Sequence, residues 1–369
     1  MTATLLCLAL AQTAAPAFPD ARHAGGELTH VHGVAVVSVA GTPQQMGEQF
    51  GVLAVKNAPA LDKLFDDFLR DAGIKNKQLA LLGAMRLKPG VPADLRTEIE
   101  AAATAAGRPA EFGYFANTIY DLSTGMGCST VVVEPGRSTT GGPVFGRNFD
   151  YQPTTGIMDH TLLAVFKPTG KRAFLTVTMP PLVGCISGTN DAGLCVTLNE
   201  VHRHQSKRPA KFNAAGVPTM LLFRQVLESC GSVAEAAEFL RTADRMTTAV
   251  MTACDPGGGA VFEITAEGVE VRRAENGVCL GTNHLRTDPL AKSEPCWRYD
   301  HLSGLQRHAL KLGVADVQRE LHRVNQGRHT LQSIVFEPRE KKLHLKLGDL
   351  KQPATAFDAK TFDVGELLK

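Results

Sequence analysis

A chain of 369 residues with 44% hydrophobic and 21% charged residues is suited to a large packed core, which excludes wholesale disorder. Its 39 basic and 37 acidic residues leave a net charge of +2, which excludes the broad basic surface of a nucleic-acid-binding protein. Its 8 cysteines contain no CxxC pair, which excludes the common zinc-finger spacings.

The first residues have the features of an export signal. A short apolar stretch at 4–10 is followed by small residues ending in AAPA, which resembles an Ala-x-Ala cleavage site. We therefore predict a signal peptide over residues 1–20 and a secreted or periplasmic protein. A disordered tail is the alternative, because no basic residue precedes the apolar stretch. No later segment is apolar over a length that spans a bilayer, so stable membrane insertion is not expected.

The next part of the chain is predicted to be mostly helical. A strand over 34–39 precedes Thr42 and Pro43, which are suited to the N-cap and the first position of a helix. Apolar residues then recur at helical spacing. Further helices are predicted at residues 77–87, 92–106 and 110–122. Residues 40–125 are therefore expected to form a mainly helical region.

After residue 127 the pattern changes to short apolar strands separated by turns rich in Gly, Pro and Asn. Strands are predicted in STVVVEP, GPVFGRNFDY, HTLLAVFKP, RAFLTVTM, LVGCISGTN, AGLCVTLNEV and GVCLGTN, in a hairpin turning on 257–259, and in a last pair over 330–348. Helices are predicted at 217–229, 232–241, 298–312 and 314–324. Because strands and helices occur in groups, we predict an α+β fold with two antiparallel sheets between helical layers.

Cys128 stands at the predicted start of one strand, directly after Gly127. A thiol nucleophile needs a proton acceptor, and a free α-amine with a pKa of about 7.7–8.0 is suited to that task near neutral pH. Cys128 would gain such an amine if the chain were cut after Gly127. A glycine there leaves room for attack by the neighbouring sulfur and tolerates a strained peptide. A buried packing cysteine is the alternative.

Two charged residues follow in GRNFDY, on the strand predicted to pair with the one that starts at Cys128. Alternation along a strand places Arg147 on one face and Asp150 on the other, although a bulge or the strand end would still bring both to the cysteine. A guanidinium near sulfur favours the thiolate, and a carboxylate near an α-amine orients and protonates it. A surface arginine and a turn aspartate are the alternative.

Two asparagines end predicted strands, Asn199 in GTNDAGLCVTLNEV and Asn283 in GTNHL. Asparagine amides in such places are suited to binding an oxyanion, and the loss of one such donor costs roughly 3 kcal/mol. Ordinary turn asparagines are the alternative for both positions.

The sequence gives little support to a metal or cofactor site. The histidine pairs in HVH (30–32) and HRH (202–204) lie in neither an HExxH motif nor a cysteine-rich setting, so no metal is expected. The stretch GGPVFGRN lacks the Lys-Ser/Thr of a phosphate-binding loop. No cofactor is therefore predicted.

Taken in order, Cys128, GRNFDY, GTNDAGLCVTLNEV, GTNHL and Arg298 in CWRYDHL resemble the motifs of the cysteine N-terminal-nucleophile (Ntn) hydrolases. The nearest resemblance is to the acyl-CoA:6-aminopenicillanate acyltransferase-like autoproteolytic family, peptidase family C45. Acid ceramidase, the acid amidases, and the bile-salt and penicillin V hydrolases resemble the chain more distantly. The arginine of GRNFDY is as in the bile-salt hydrolase and ceramidase branches, whereas the long segment before Cys128 is like acyltransferases and ceramidases. The resemblance extends over about residues 34–348.

This resemblance implies an αββα four-layer sandwich and self-cleavage between Gly127 and Cys128. Residues 21–127 would then form an α-chain and residues 128–369 a catalytic β-chain, and the two would remain associated as one domain. Cys128 would be the nucleophile, with its own amine as proton shuttle. The resemblance assigns the other roles to Arg147 and Asp150, which hold the nucleophile and amine, to Asn199 and Asn283, which bind the oxyanion and orient the amine, and to Arg298, which organises the site.

The activity implied by the resemblance is hydrolysis of a linear amide through an acyl-enzyme on Cys128. The expected substrate is a small molecule with an acyl chain and a small amine or amino-acid leaving group. Transfer of the acyl group to an amine acceptor is the close alternative. A papain-like protease is less favoured because the CG[SA]C[WY] motif is absent. A non-catalytic binding protein on the same scaffold is the remaining alternative.

Overall fold

The structure is a computed structural model that describes residues 17–122, 125–152, 157–201, 211–288, 290–292 and 294–369. Most of the predicted signal peptide and the histidines of the HRH motif lie outside the described residues. None of the helices in the described ranges has both the length and the apolar character needed to cross a membrane.

Most of the helices were expected from the sequence. Thr42 caps the first one through a capping box with Gln45, as the Thr-Pro pair predicts. The helices of the described ranges are α1 (Pro43–Phe50, continued by a π-helical turn Gly51–Val55), α2 (Leu61–Asp71), α3 (Lys77–Arg86), α4 (Ala93–Ala105), α5 (Ala110–Leu122), α6 (Thr219–Ser229), α7 (Val233–Thr242), α8 (Trp297–Arg307), α9 (Val314–Arg323) and α10 (Val364–Leu367).

The strands form two sheets. They are β1 (Ala21–His23), β2 (Gly26–Val31), β3 (Val34–Gly41), β4 (Gly127–Val133), β5 (Val144–Asp150), β6 (Leu162–Pro168), β7 (Phe174–Thr178), β8 (Ser187–Asn190), β9 (Cys195–Glu200), β10 (Ala249–Asp255), β11 (Gly258–Ile264), β12 (Val269–Arg272), β13 (Val278–Gly281), β14 (Thr330–Glu337), β15 (Lys342–Leu347) and β16 (Lys360–Asp363). In the described ranges, the first sheet has the order β1-β2-β3-β6-β7-β8-β9-β10-β11-β12, and the second has the order β13-β4-β5-β14-β15-β16.

The first sheet departs from the prediction in two ways. The edge strand β1 and its neighbour β2 precede the predicted first strand, so the segment before the helices contributes three strands to the sheet. In addition, β3 pairs with β6 in parallel, so the sheet is not wholly antiparallel. A parallel pair requires a long crossover connection, and here the crossover contains α1–α5 and the strands β4 and β5 of the second sheet.

Apolar cores separate four layers. Among the described residues, one core joins α1–α7 to the first sheet, for example through Phe50 and Leu221. A second core lies between the two sheets, where Phe145 and Val165 are fully buried. A third, which includes Leu321, joins the second sheet to α8 and α9. The order of helices, sheet, sheet and helices confirms the predicted αββα sandwich.

The start of β4 is held on three sides. Within the second sheet β4 lies between β5 and β13, and it also contacts β9 of the first sheet. The predicted hairpin partnership of β4 and β5 is confirmed by their antiparallel register. The first residues of β4 are therefore placed at the junction of both sheets.

Candidate active site

Cys128 lies at the second position of β4, and its side chain is fully buried. In the β4–β5 ladder Cys128 is opposite Phe149, and Gly127 is opposite Asp150. The Cys128 thiol donates to the carbonyl oxygen of Leu198 in β9, with Sγ and O 3.5 Å apart. The sulfur therefore lies between the two sheets.

Arg147 provides the nearest positive charge to the sulfur. Because Cys128 is opposite Phe149, the side chain two residues earlier on β5 lies on the same face, and Arg147 Nη2 is 3.3 Å from Sγ. The guanidinium is fully buried and also donates through Nη1 to the carbonyl of Ile186 at 2.7 Å. Burial raises the pKa of the Cys128 thiol, and the charge of Arg147 opposes that rise.

Asp150 reaches the cysteine from the other face of β5. Its carboxylate accepts a hydrogen bond from Thr330 Oγ1 at 2.6 Å and from Gln326 Nε2 at 3.1 Å, and lies 3.9 Å from Arg298 Nη1. Burial raises the pKa of the Asp150 carboxyl, against the effect of these partners. The pairing register of β14 with β5 shifts between Thr330 and Gln332, beside Asp150. Asp150 is the last residue of β5, so of the two routes that the sequence left open the strand end is the one seen within β5, and the register shift belongs to β14.

Asn283 and Arg298 bind the backbone of Cys128. The Cys128 N–H donates to Asn283 Oδ1 at 2.9 Å, and Arg298 Nη2 donates to the same oxygen at 2.8 Å. Arg298 Nη1 donates to the carbonyl of Cys128 and to Ser129 Oγ, the latter at 3.0 Å. Asn283 Nδ2 donates to the carbonyl of Met126 at 3.1 Å. These two side chains therefore fix the peptide units on both sides of Gly127.

Asn199 lies next to this cluster without a described hydrogen bond to Cys128. Its Nδ2 donates to the carbonyl of Thr282 at 3.3 Å, and its Oδ1 is buried with no partner in the described part of the chain. Five of the predicted site residues therefore meet directly, and Asn199 joins them through the residue before Asn283.

Glu200 and Gln326 also lie at the site, although the sequence-based prediction assigned a role to neither. The Glu200 carboxylate accepts the N–H groups of Gly125 and Met126, immediately before the predicted cleavage site. Gln326 donates to Asp150 from a turn that follows α9. The only local signal is that Glu200 directly follows Asn199.

Gly127 occupies a position with no space for a side chain. A Cβ atom added there would lie 2.5 Å from Gln326 Nε2 and 3.1 Å from Asp150 Cβ. Contacts this close require the neighbours to move. A larger residue at position 127 would displace the Gln326 amide and press on Asp150, so the glycine leaves room for the contacts around the peptide bond before Cys128.

An apolar cavity lies beside the start of β4. It contains about 880 Å³ of space between atoms, part of it open to solvent. Its walls come from α2, α5, the turn at 179–182 and the two residues before Gly127, together with side chains of β5, β9 and α6. Among the described residues that line it, Glu200 carries the one carboxylate. The apolar lining includes Leu64, Phe65, Phe115, Ile119, Phe149 and Ile186.

No candidate metal centre is found in the described ranges, where no three His, Cys, Asp or Glu side chains are grouped to hold an ion. The described histidines of the HVH motif have other contacts. His30 Nδ1 lies 2.7 Å from Asp20 Oδ1, and the ring of His32 packs edge-on against Phe362.

The solved structures to which the chain is similar include an acid amidase ortholog, a bile acid hydrolase and a penicillin acylase. The Caenorhabditis elegans ortholog of N-acylethanolamine-hydrolyzing acid amidase is 18% identical, with a TM-score of 0.44 over 57% of this chain and 93% of that chain. A mutant of conjugated bile acid hydrolase from Clostridium perfringens is 16% identical, with a TM-score of 0.44 over 64% and 96%. Penicillin V acylase from Agrobacterium tumefaciens is 13% identical, with a TM-score of 0.43 over 60% and 83%.

A family comparison covers more than half of the sequence. No curated protein matches the chain. The family described as acyl-coenzyme A:6-aminopenicillanic acid acyl-transferase matches residues 137–352. This range begins after Cys128 and contains the five other candidate site residues, from Arg147 to Arg298. The chain therefore belongs to the acyl-coenzyme A:6-aminopenicillanic acid acyl-transferase family, as the order of its motifs predicts.

Proposed function

We propose that this chain is a self-processing cysteine amidohydrolase that is activated by cleavage between Gly127 and Cys128. The observation that carries the proposal is the convergence of Arg147, Asn283 and Arg298 on the sulfur and backbone of one buried cysteine at the start of a strand. A packing cysteine needs none of these partners. Family membership supports the same chemistry.

Self-cleavage begins with attack of Cys128 Sγ on the carbonyl carbon of Gly127. The carbon–nitrogen bond breaks, the thiol proton passes to the departing nitrogen, and Gly127 becomes a thioester on Sγ. One water then hydrolyses the thioester, which gives a carboxylate at Gly127, a restored thiol and a free α-amine on Cys128. The crowding around Gly127 supports a peptide unit held in one reactive arrangement.

In the processed enzyme the α-amine replaces the usual histidine base. It takes the thiol proton while Sγ attacks the substrate amide, and it returns that proton to the leaving amine. Asn283 Oδ1, which accepts the Cys128 N–H in the continuous chain, is suited to holding this amine. Asp150 supplies a negative charge near the resulting ammonium, and Arg147 stabilises the thiolate. Asn199 is assigned to the oxyanion side through its Nδ2 donor, which in the continuous chain makes a 3.3 Å hydrogen bond to the carbonyl of Thr282.

The cavity beside Met126 supports a substrate with an apolar acyl group. It is lined almost wholly by apolar residues, many of them from α2 and α5, and such a lining favours burial of methylene groups. Water as the acyl acceptor gives hydrolysis. The family match to an acyl-transferase favours transfer to an amine as a second candidate, using the same acyl-enzyme.

Trapping of the acyl-enzyme tests the proposal. Processed protein is mixed with a long-chain acyl p-nitroanilide and quenched in acid, and the masses of its fragments are measured by mass spectrometry. We expect the larger fragment to gain the mass of the acyl group on Cys128. If the enzyme transfers the acyl group, an amine added before the quench should yield the N-acylated amine in place of the free acid. Cys128→Ala should gain no mass, whereas Cys185→Ala, which removes another buried thiol near Arg147, should behave as the wild type. An adduct elsewhere, or none, contradicts the proposal.

A further inference from the structure

Glu200 binds the segment that immediately precedes the proposed cleavage site. It ends β9 and is buried. Its carboxylate accepts the N–H of Met126 at 2.7 Å and the N–H of Gly125 at 2.9 and 3.0 Å from its two oxygens. Both are charge-assisted hydrogen bonds to backbone donors, which are stronger than neutral ones.

The same segment is also bound through its acceptor. Asn283 Nδ2 donates to the Met126 carbonyl at 3.1 Å and to the Glu200 carbonyl at 2.8 Å. The peptide units around Met126 thus have both their donors and an acceptor satisfied by two buried side chains. This is a built binding site for a short stretch of peptide backbone.

In the self-cleavage proposed above, this stretch is the acyl side of the first substrate. The thioester joins Gly127 to Sγ, and Met126 and Gly125 lead away from it along Glu200. Any later acyl group bonded to Sγ starts from the same atom. Resting on the proposed function, we propose that Glu200 determines acyl-group specificity by selecting peptide-like acyl groups with an N–H at the position of the Met126 amide.

Burial and charge both favour such a substrate. After cleavage, Gly127 ends in a new carboxylate close to Asp150. Repulsion between the two negative charges favours withdrawal of the segment that ends at Gly127. Withdrawal removes the N–H groups of Gly125 and Met126 from the Glu200 carboxylate, and a substrate N–H in the same place restores a hydrogen bond of that kind. An anionic acyl group is repelled at the same place. The cavity that Glu200 lines accommodates the apolar remainder of the acyl group.

A pair of substrates that copies residues 125–127 tests this inference. Acetyl-Gly-Met-Gly p-nitroanilide is compared with its analogue methylated on the methionine nitrogen, which removes one donor. We expect N-methylation to lower kcat/KM of the processed wild type at least tenfold. In Glu200→Gln, N-methylation should lower kcat/KM less than about threefold. The concentration of processed enzyme is determined by mass spectrometry for each variant. Glu134→Gln is the matched control, because Glu134 also accepts a backbone N–H but follows the opposite end of β4.

The outcomes separate this inference from the proposed function. Suppose that the processed wild type cleaves a long-chain acyl p-nitroanilide. If it then cleaves both peptide substrates equally well, or cleaves neither, the proposed amidohydrolase activity is not refuted but the role of Glu200 is. An equal penalty in wild type and Glu200→Gln refutes it as well. The wild-type comparison remains decisive where the variant fails to fold. A chain that neither processes nor cleaves any amide refutes both proposals.

Discussion

The reactivity of Cys128 depends on two opposing effects on one sulfur atom. Complete burial raises the pKa of the thiol, while Arg147 at 3.3 Å favours the thiolate. In the continuous chain, burial is the larger effect, so attack requires the thiol proton to move to an acceptor. In the proposed self-cleavage that acceptor is the departing nitrogen of the Gly127–Cys128 peptide, and in the processed enzyme it is the α-amine of Cys128.

Replacement of Arg147 by methionine should slow processing. Arg147→Met keeps most of the side-chain volume but removes the positive charge beside Sγ, and we expect fragment formation to be roughly a hundredfold slower. The rate is measured by denaturing gel after synthesis. Arg245→Met is the control, because Arg245 is another buried arginine, whose guanidinium donates to the carbonyl oxygens of Leu240 and Ala243 and not to Cys128. Processing of folded Arg147→Met at the wild-type rate would rule out this role.

Asp121 should make stability depend on pH. At the end of α5 its carboxyl accepts the N–H and Oγ1–H of Thr219, and burial raises its pKa from 3.8 to about 7. The unfolded chain loses this proton near pH 4 and the folded chain near pH 7, so the unfolding free energy falls as pH rises through that window. The change is on the order of 4 kcal/mol. In Asp121→Asn, the urea unfolding midpoint should depend less on pH between pH 4 and 7 than it does in the wild type. The same pH dependence in both proteins would contradict a raised pKa of Asp121.

At the scale of elements, the start of β4 is where close packing and chemistry coincide. Gly127 is opposite Asp150 in the ladder, and Gln326 from the turn after α9 closes over it. The peptide bond before Cys128 is therefore surrounded by side chains from two other strands and a turn. A substitution at this point changes the geometry of the bond without removing any proposed reacting group.

Gly127→Ala should hinder self-cleavage through crowding. Its methyl group would meet Gln326 Nε2 at 2.5 Å, which displaces the amide that donates to Asp150. We expect slower fragment formation than in the wild type, with partial recovery in the double variant Gly127→Ala, Gln326→Ala. Time courses after synthesis measure both. Wild-type rates in Gly127→Ala would show that packing at this position is irrelevant to cleavage.

Local pattern explains which elements and site residues could be predicted. Strand β4 ends in three valines and β5 follows it in a hairpin, whose register places Arg147 beside the Cys128 sulfur and Asp150 opposite Gly127. The first two strands, β1 and β2, are half polar and were missed. Glu200 and Gln326 were missed because their partners are 74 and 176 residues away in the sequence, which no local pattern reveals.

At the scale of the whole molecule, the two proposed fragments share one core. Strand β3 of the first fragment pairs with β6 of the second, and α4 packs against the same layer as α6. Between those helices the fully buried Arg224 donates to both oxygens of Glu98, at 2.7 and 2.6 Å, and to Glu228 at 2.7 Å. We therefore expect both fragments to elute together on native size exclusion.

Glu98→Gln should weaken this association. The substitution leaves Arg224 buried with one carboxylate partner instead of two, and the cost is expected to be about 3 kcal/mol. Urea unfolding of the processed protein measures it. Glu100→Gln is the matched control on the same helix, since Glu100 pairs with Lys88 near the surface. Equal urea midpoints for the two variants would contradict a stabilising role of the buried Arg224–Glu98 ion pair between the two fragments.

The central claim is the cut between Gly127 and Cys128, and the most direct test is the mass of the denatured protein with N-terminal sequencing of its fragments. Scaling the 39.5 kDa chain by 127 and 242 of its 369 residues gives fragments of roughly 14 and 26 kDa, the smaller one lighter if a signal peptide is removed. We predict a larger fragment that begins Cys-Ser-Thr-Val and is absent from Cys128→Ala. A single wild-type chain that stays intact for days would contradict the account.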